Sequence, residues 1–411
     1  MLYPVLSKAT PFNPYGIPDY VPVDYAANSF KLVNEKWEDV TGYINGRFEY
    51  VYVNGEVYGV QVTPYELGEP VEYEGVRYTV GQEGAPYVLG LDGKPIVALD
   101  GLIYRQPYYC SAGPPEDLIY VTTVEACKAA AEFDYGMWPD IGVFNIKTGK
   151  LQIPAEYTQL VLLKDIALGV KGGVMYQLDR SGKVLATLGE GWWIDEYRDG
   201  DELLKVNDTT YIDSSGEVVL TLEGIRGSSN FCGEYAYGWR GNPGESYDDA
   251  VIFDRQGRVA YEKPFATIYR SEAYYLIDGR EVLDRSLRTV YTVRGGDSAG
   301  ISEVVGDTFL LTDWDRERET QIMTLIGGGK EIARIEGSLW HDSGFFYSWD
   351  DNRLHKIYDG DCKLIFENAR AYRVSGDGRF IYVDNGKHMG YIDAEGNWVY
   401  RINAAYFNLE D

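Results

Sequence analysis

The sequence predicts an all-β protein: a β-propeller of about eight four-stranded blades, with seven or nine also compatible. The first observation behind this is a recurring phrase. An aromatic or aliphatic pair is followed by Asp or Asn, two residues, Gly, a polar residue and an apolar strand. The clearest copies are Tyr176–Val184 (YQLDRSGKV), Tyr211–Val218 (YIDSSGEV), Val251–Val259 (VIFDRQGRV) and Tyr391–Val399 (YIDAEGNWV), with Val143–Leu151 (VFNIKTGKL) a close relative. The second observation is the period. The Gly position of the phrase falls at Gly149, Gly182, Gly216, Gly257, Leu287, Gly329, Cys362 and Gly396, in steps of 33, 34, 41, 30, 42, 33 and 34 residues. A fixed period between 20 and 50 residues marks a repeat architecture.

The third observation is that two further landmark series keep the same period. Polar hairpin tips centre near Gly172, Asp208, Glu245, Gly279, Glu317, Asn352 and Gly386. Another set of turns centres near Asp165, Gly200, Gly233, Ser271, Asp307, Ser343 and Asp377. Between landmarks run short apolar or alternating segments such as Ile166–Val170 (IALGV) and Phe309–Thr312 (FLLT), which is the strand-and-turn signature. Asp-x-x-Gly suits the tight turn because Asp bonds the local backbone and Gly accepts positive φ. A four-stranded unit exposes its edges unless units repeat around an axis, which favours a propeller over a linear array.

Along the chain, residues 1–40 carry Pro4, Pro11, Pro14, Pro18 and Pro22 and are expected as an extended arm rather than regular sheet. Residues 41–411 are expected as one propeller, with looser units over 41–130 and well-registered repeats from about 131. The looser units show in Tyr50–Val60 (YVYVNGEVYGV), Val71–Val80 (VEYEGVRYTV) and Tyr87–Val97 (YVLGLDGKPIV). One insertion spans 121–140: Thr122 and Glu125 are spaced as a capping box, and Ala126–Glu132 is the best helix former in the chain. The last unit is expected to stop after two strands, with an N-terminal strand completing it and closing a ring.

Composition narrows the function classes. A hydrophobic fraction of 45% and 47 Gly fit a folded, turn-rich β protein. The 36 Tyr sit largely in strand phrases, where the ring packs between sheets and the hydroxyl reaches a partner. With 64 acidic against 38 basic residues, the net charge is −26. Nucleic acid and anionic membranes call for basic patches, so neither is expected as a partner. A cationic partner remains compatible. Cys110, Cys127, Cys232 and Cys362 form no C-x-x-C pair, and no disulfide framework is indicated. No apolar run approaches a membrane span, and no signal peptide is visible. With Met1 as the native start the protein is expected to be cytoplasmic; a trimmed start points outside the cytoplasm instead. A monomer is expected.

Ile141–Tyr157 (IGVFNIKTGKLQIPAEY) followed by Ile166–Gly173 (IALGVKGG) resembles the WG-repeat type, found in many bacterial multi-repeat β proteins. Gly390–Val399 (GYIDAEGNWV) is similar to its central phrase. Most other units lack the Pro and the following Tyr. The resemblance covers about residues 141–400. It implies a repeat scaffold and carries no catalytic residues.

Several local motifs dissolve into the repeat. Ile326–Lys330 (IGGGK) has Thr324 where a phosphate loop needs Gly and Glu331 where it needs Ser or Thr, so it reads as a repeat turn. Trp314-Asp315 and Trp349-Asp350 fall in hairpin tips without a Gly-His partner, which argues against a WD40 assignment. No sialidase-type Asp-box is present. His341, His355 and His388 fall in predicted turns or tips and read as solvated, so no metal or cofactor is expected.

The variable tips are the candidate site, because loops on a rigid scaffold are where binding resides. Trp239–Asp249, Thr312–Thr320 and Trp349–His355 are rich in aromatics and acids. The candidate binding residues are Trp239, Tyr247, Asp313, Trp314, Asp315, Trp349, Asp350 and Asp351. The expectation is a non-enzymatic scaffold binding a protein or small ligand through this face, the partner being a protein or a carbohydrate, with no catalytic residue assigned. The alternative is a carbohydrate-active hydrolase or lyase using tip carboxylates near the axis.

Overall fold

A computed structural model of the chain describes residues 1–13, 26–53, 56–73, 76–107, 117–127, 139–163, 165–195, 203–241, 249–271, 274–293, 299–305, 308–315, 317, 319–328, 330–349, 354–375 and 377–403. The protein is all-β and carries nine successive sheets of propeller-blade type. Residues Met1–Val219 and Leu220–Asp411 form two compact units, each with its own core. The boundary falls inside the last strand of the fourth sheet.

Nine sheets replace the expected eight because the looser N-terminal stretch holds two. In the first, Ile44–Val53, the opening half of Glu56–Tyr73, Tyr87–Gly90 and Pro95–Ala98 form a four-stranded meander. A long hairpin interrupts it: the closing half of Glu56–Tyr73 folds back on Val76–Glu83. That extra hairpin masks the period. The proline-rich start is not an irregular arm over its described part. Tyr3–Asn13 pairs with Ala26–Val33 and, in parallel, touches Val76–Glu83. The second sheet is built from Leu102–Tyr104, Leu118–Thr123, Ile141–Asn145 and Lys150–Tyr157.

The 121–140 insertion begins later than its sequence suggests. Val121–Thr123 completes a strand, and only residues 124–127 are helical among those described. The cap is shifted by one residue: Thr123 Oγ1, not Thr122, accepts the Ala126 N–H at 3.0 Å. Thr122 is buried instead. Most of the Ala126–Glu132 segment lies outside the described residues.

Later sheets follow the repeat. The third runs Gln159–Leu162, Ile166–Lys171, Val174–Asp179 and Val184–Glu190. In the fourth, Leu203–Lys205, Thr210–Asp213 and Val218–Thr221 pair; in the fifth, Tyr235–Arg240, Asp249–Asp254 and Val259–Lys263. A short stretch takes the first-strand place in each of these two: Trp193 donates to the Val206 carbonyl, and Arg226 exchanges backbone bonds with Trp239. The sixth holds Ile268–Arg270, Tyr274–Ile277, Glu281–Asp284 and Thr289–Thr292, and the seventh Gly300–Val305, Thr308–Asp315, Thr320–Gly327 and Lys330–Glu336. Trp340–Asp342, Phe345–Trp349, His355–Tyr358 and Leu364–Ala369 form the eighth. The ninth is complete in itself, with Ala371–Val374, Ile381–Asp384, His388–Ile392 and Trp398–Asn403. The expected two-strand ending, completed by an N-terminal strand, is therefore incorrect. The strands Ala371–Val374 and Ile381–Asp384 belong with the last phrase rather than with the unit before it.

The repeated turn is the fold's most regular device. Asp179, Asp213, Asp254, Asp284, Asp359 and Asp393 each accept, through Oδ1, the N–H groups two and four residues on. Leu287 and Cys362 replace the Gly yet keep its left-handed backbone, at φ 60° and 58°. The arginine after the Asp has its own recurring role. Arg180, Arg255 and Arg285 reach the carbonyls of Leu163, Gly233 and Ser271, in the turn between the first two strands of the same sheet. Both turns thus lie at one end of each sheet, and the tips between second and third strands lie at the other.

Tyrosine hydroxyls bridge neighbouring sheets, as their abundance predicts. Tyr120 accepts the buried Leu162 N–H at 3.1 Å, and Tyr275 donates to the Tyr235 carbonyl at 3.4 Å. Between sheets, apolar side chains form the cores, as with Leu118, Val143, Leu160 and Leu168. Burying each such side chain contributes roughly 1.5–3 kcal/mol.

Candidate functional site

In the eighth sheet, alternation along the strands selects one face. Trp340 lies opposite Tyr347, and Trp349 opposite His355. Tyr347 and Trp349 are two apart on one strand, so all four side chains project to the same side. Trp340 and Trp349 are diagonal neighbours across the pairing, within reach for large rings. Their rings stack with centroids 3.8 Å apart and planes at 15°. Tyr347 stacks on Trp340 at 5.9 Å, and His355 meets the edge of Trp349 at 6.1 Å. Tyr372, from the first strand of the ninth sheet, packs on both His355 and Tyr347.

The result is a row of five rings at the tip end. Trp340 opens its strand, Trp349 closes the next and His355 opens the third, so all three sit where the second-to-third hairpin turns. Below them, Ile357 and Ala369 on the same face are buried against Ile381 and Val383 of the ninth sheet. The rings continue that apolar face outward into solvent. Trp349 remains 50% exposed.

Electrostatically the row is neutral, and one acid lies on the same face toward the other end of the sheet. Burial pushes the His355 imidazole below the usual histidine value, and its Nδ1 is buried without a partner among the described residues. The Tyr372 hydroxyl is pushed up, first by burial, then by its hydrogen bond with Tyr347 and by the charge of Asp342. Asp342 shares the platform face, two residues from Trp340, and is exposed.

The candidate residues read from the sequence divide into three groups. Trp349 is at the centre of the ring row. Trp314, 49% exposed, is the penultimate residue of the second strand of the seventh sheet, so it too lies at the tip end. Its neighbours serve the hairpin: Asp313 accepts the Trp314 N–H at 2.8 Å and Asp315 accepts the Glu317 N–H at 3.0 Å. Trp239 occupies the matching place in the fifth sheet but packs edge-on to Tyr237 at 5.6 Å, half-buried. Tyr247, Asp350 and Asp351 lie outside the described residues. No described contact joins Trp239, Trp314 and Trp349 to one another.

Sequence reasoning missed Trp340, Tyr347, His355 and Tyr372. The available signal was the His-Asp-Ser-Gly turn at 341–344, whose centre sets the register that places Trp340 opposite Tyr347. The histidines also differ from their expected solvated state. His341 and His388 lie in strands and pack on Phe346 and Trp398. Among the described residues, no group of three His, Cys, Asp or Glu is arranged to hold a metal ion. Cys232 and Cys362 form no disulfide, and burial pushes the Cys362 thiol up to about 12.

No family model matches the chain, and no curated protein matches it. The WG-repeat resemblance therefore has no support beyond the repeat fold it implies. Solved structures similar to the chain include a eukaryotic initiation factor, at 11% identity and a TM-score of 0.46, covering 91% of this chain and 93% of that one. The WD40 domain of SCAP from fission yeast matches at 9% identity and a TM-score of 0.30, covering 68% of this chain and 93% of that one. The C-terminal WD40 domain of Sif2 gives 10% and 0.31, covering 67% and 93%. These likenesses are too distant to bear on function. The blade topology rests on the sheets themselves.

Proposed function

We propose that the protein is a non-enzymatic scaffold that binds a protein or small ligand through the tip end of its sheets, centred on Trp349. The observation that carries this reading is the ring row of the eighth sheet. A large aromatic half exposed to solvent, backed by a second indole at 3.8 Å, is an arrangement that folding alone does not require. Rigid aromatic anchors concentrate binding energy at interfaces. Asp313 and Asp315 are engaged by their own hairpin, which weakens the case for a hydrolase or lyase.

The test is affinity capture from extract of the source organism, comparing wild type with Trp349→Ala. The reading expects a retained component that the variant loses while its melting temperature stays within a few degrees. Equal retention by both would contradict it.

A further inference from the structure

The ring row supports a statement about ligand chemistry, which rests on the reading just given. Over the first three strands of the eighth sheet the described positions on the platform face are Trp340, Asp342, Phe345, Tyr347, Trp349, His355 and Ile357. Among these described positions Asp342 is the one carboxylate, and none is a lysine or arginine. Among the described residues, Asp342 makes no ion pair; its Oδ1 accepts a bond from the adjacent Ser343 hydroxyl. The imidazole in the row is held neutral by burial. The described surface therefore offers electron-rich ring faces, on a chain of net charge −26.

We propose that this platform binds an arginine-bearing peptide segment of a protein partner, with a guanidinium stacked on the exposed side of Trp349. An aromatic face attracts a cation through its quadrupole, and tryptophan does so best. Arginine fits better than lysine, because its planar group also stacks and is weakly hydrated. Trp340 covers the other ring face and Tyr347 backs Trp340, so Trp349 is held in place before binding. The net charge of −26 adds long-range attraction for a cationic segment. A sugar platform instead needs side-chain amides or several acids beside the ring to bond hydroxyls, and the described face carries a single carboxylate.

The experiment is calorimetric titration of the full chain with a peptide of alternating arginine and glycine, at low and at physiological salt. Parallel titrations use the same peptide with glutamate for arginine, a cello-oligosaccharide and a chito-oligosaccharide. The proposal expects the arginine peptide alone to bind. It expects the affinity to fall at least tenfold in Trp349→Ala and to be largely restored in Trp349→Phe. Circular dichroism and melting temperature establish that each variant is folded. Arginine-peptide binding unchanged in folded Trp349→Ala overturns the proposal, as does the absence of binding by that peptide. Oligosaccharide binding lost in Trp349→Ala would overturn the cationic ligand while leaving the tip-end binding surface standing. Binding of arginine peptide and oligosaccharide that ignores Trp349 would overturn both.

Discussion

Trp340 and Trp349 stack at 3.8 Å although they stand nine positions apart, because the turn at Ser343–Gly344 sets the register that makes them diagonal neighbours. The pair turns a half-exposed side chain into a fixed one. That fixes the tip end of the eighth sheet as a surface with a defined shape.

Phe265 presents a different kind of exposed ring. It is 72% exposed and holds a left-handed backbone at φ 53°, with its N–H bonded to Asp249. A side chain in that region costs about 1–2 kcal/mol, while glycine costs about 0.5–1 kcal/mol in unfolded-chain entropy. Phe265→Gly loses almost no packing, so it is expected to stabilise the protein by about 0.5–1 kcal/mol by these principles. Cys362→Gly relieves the same strain at φ 58° but removes a buried side chain, and is expected to gain nothing. Denaturant midpoints of the two variants check the contrast.

Tyr120→Phe should be costly for a polar reason. Its hydroxyl accepts the Leu162 N–H in a buried site between sheets. Removing it strands a buried donor, at about 1–3 kcal/mol. Amide exchange at Leu162 should accelerate with the loss, and an unchanged rate would contradict the bridge.

The repeated turns make the protein acid-sensitive in one direction. The Asp179 carboxyl is lowered by the Ser181 hydroxyl and the Lys183 N–H, and Asp213 by the Ser215 hydroxyl, with partial burial opposing. Asp284 is lowered by the Arg288 N–H and guanidinium. A depressed folded pKa contributes stability above the unfolded value, near 3.9, that is lost as pH falls through the folded one. Asp213→Asn keeps an acceptor oxygen but removes the titration. The stability difference between pH 7 and pH 3 should shrink in that variant, as read from urea midpoints.

His355 adds a step at higher pH. Its folded pKa lies below the unfolded value of about 6.5, so the unfolded chain binds the proton first. Its contribution is present above pH 6.5 and declines as pH falls through the folded pKa. His355→Phe should flatten the melting temperature between pH 7 and pH 5, relative to wild type.

The sequence made the turns legible and left the platform largely hidden. Period alone marks Leu287 and Cys362 as turn positions, and both hold the backbone that glycine holds elsewhere. The period failed where extra chain intervened, at the hairpin joining Glu56–Tyr73 to Val76–Glu83, and there one sheet went uncounted. Trp349 was visible because it stands in a variable tip. Trp340, Tyr372 and His355 became its neighbours only through strand register and the packing of two sheets. Sequence spacing does not encode that packing directly.

The most direct test of the binding surface is the indole N–H spectrum of the ¹⁵N-tryptophan protein during titration with the arginine–glycine peptide. The Trp349 resonance, assigned with Trp349→Phe, is expected to move or broaden first, with Trp340 following. Trp193, exposed in the other unit, should stay fixed. An unmoved Trp349 signal, or equal shifts at Trp193 and Trp349, would contradict the account.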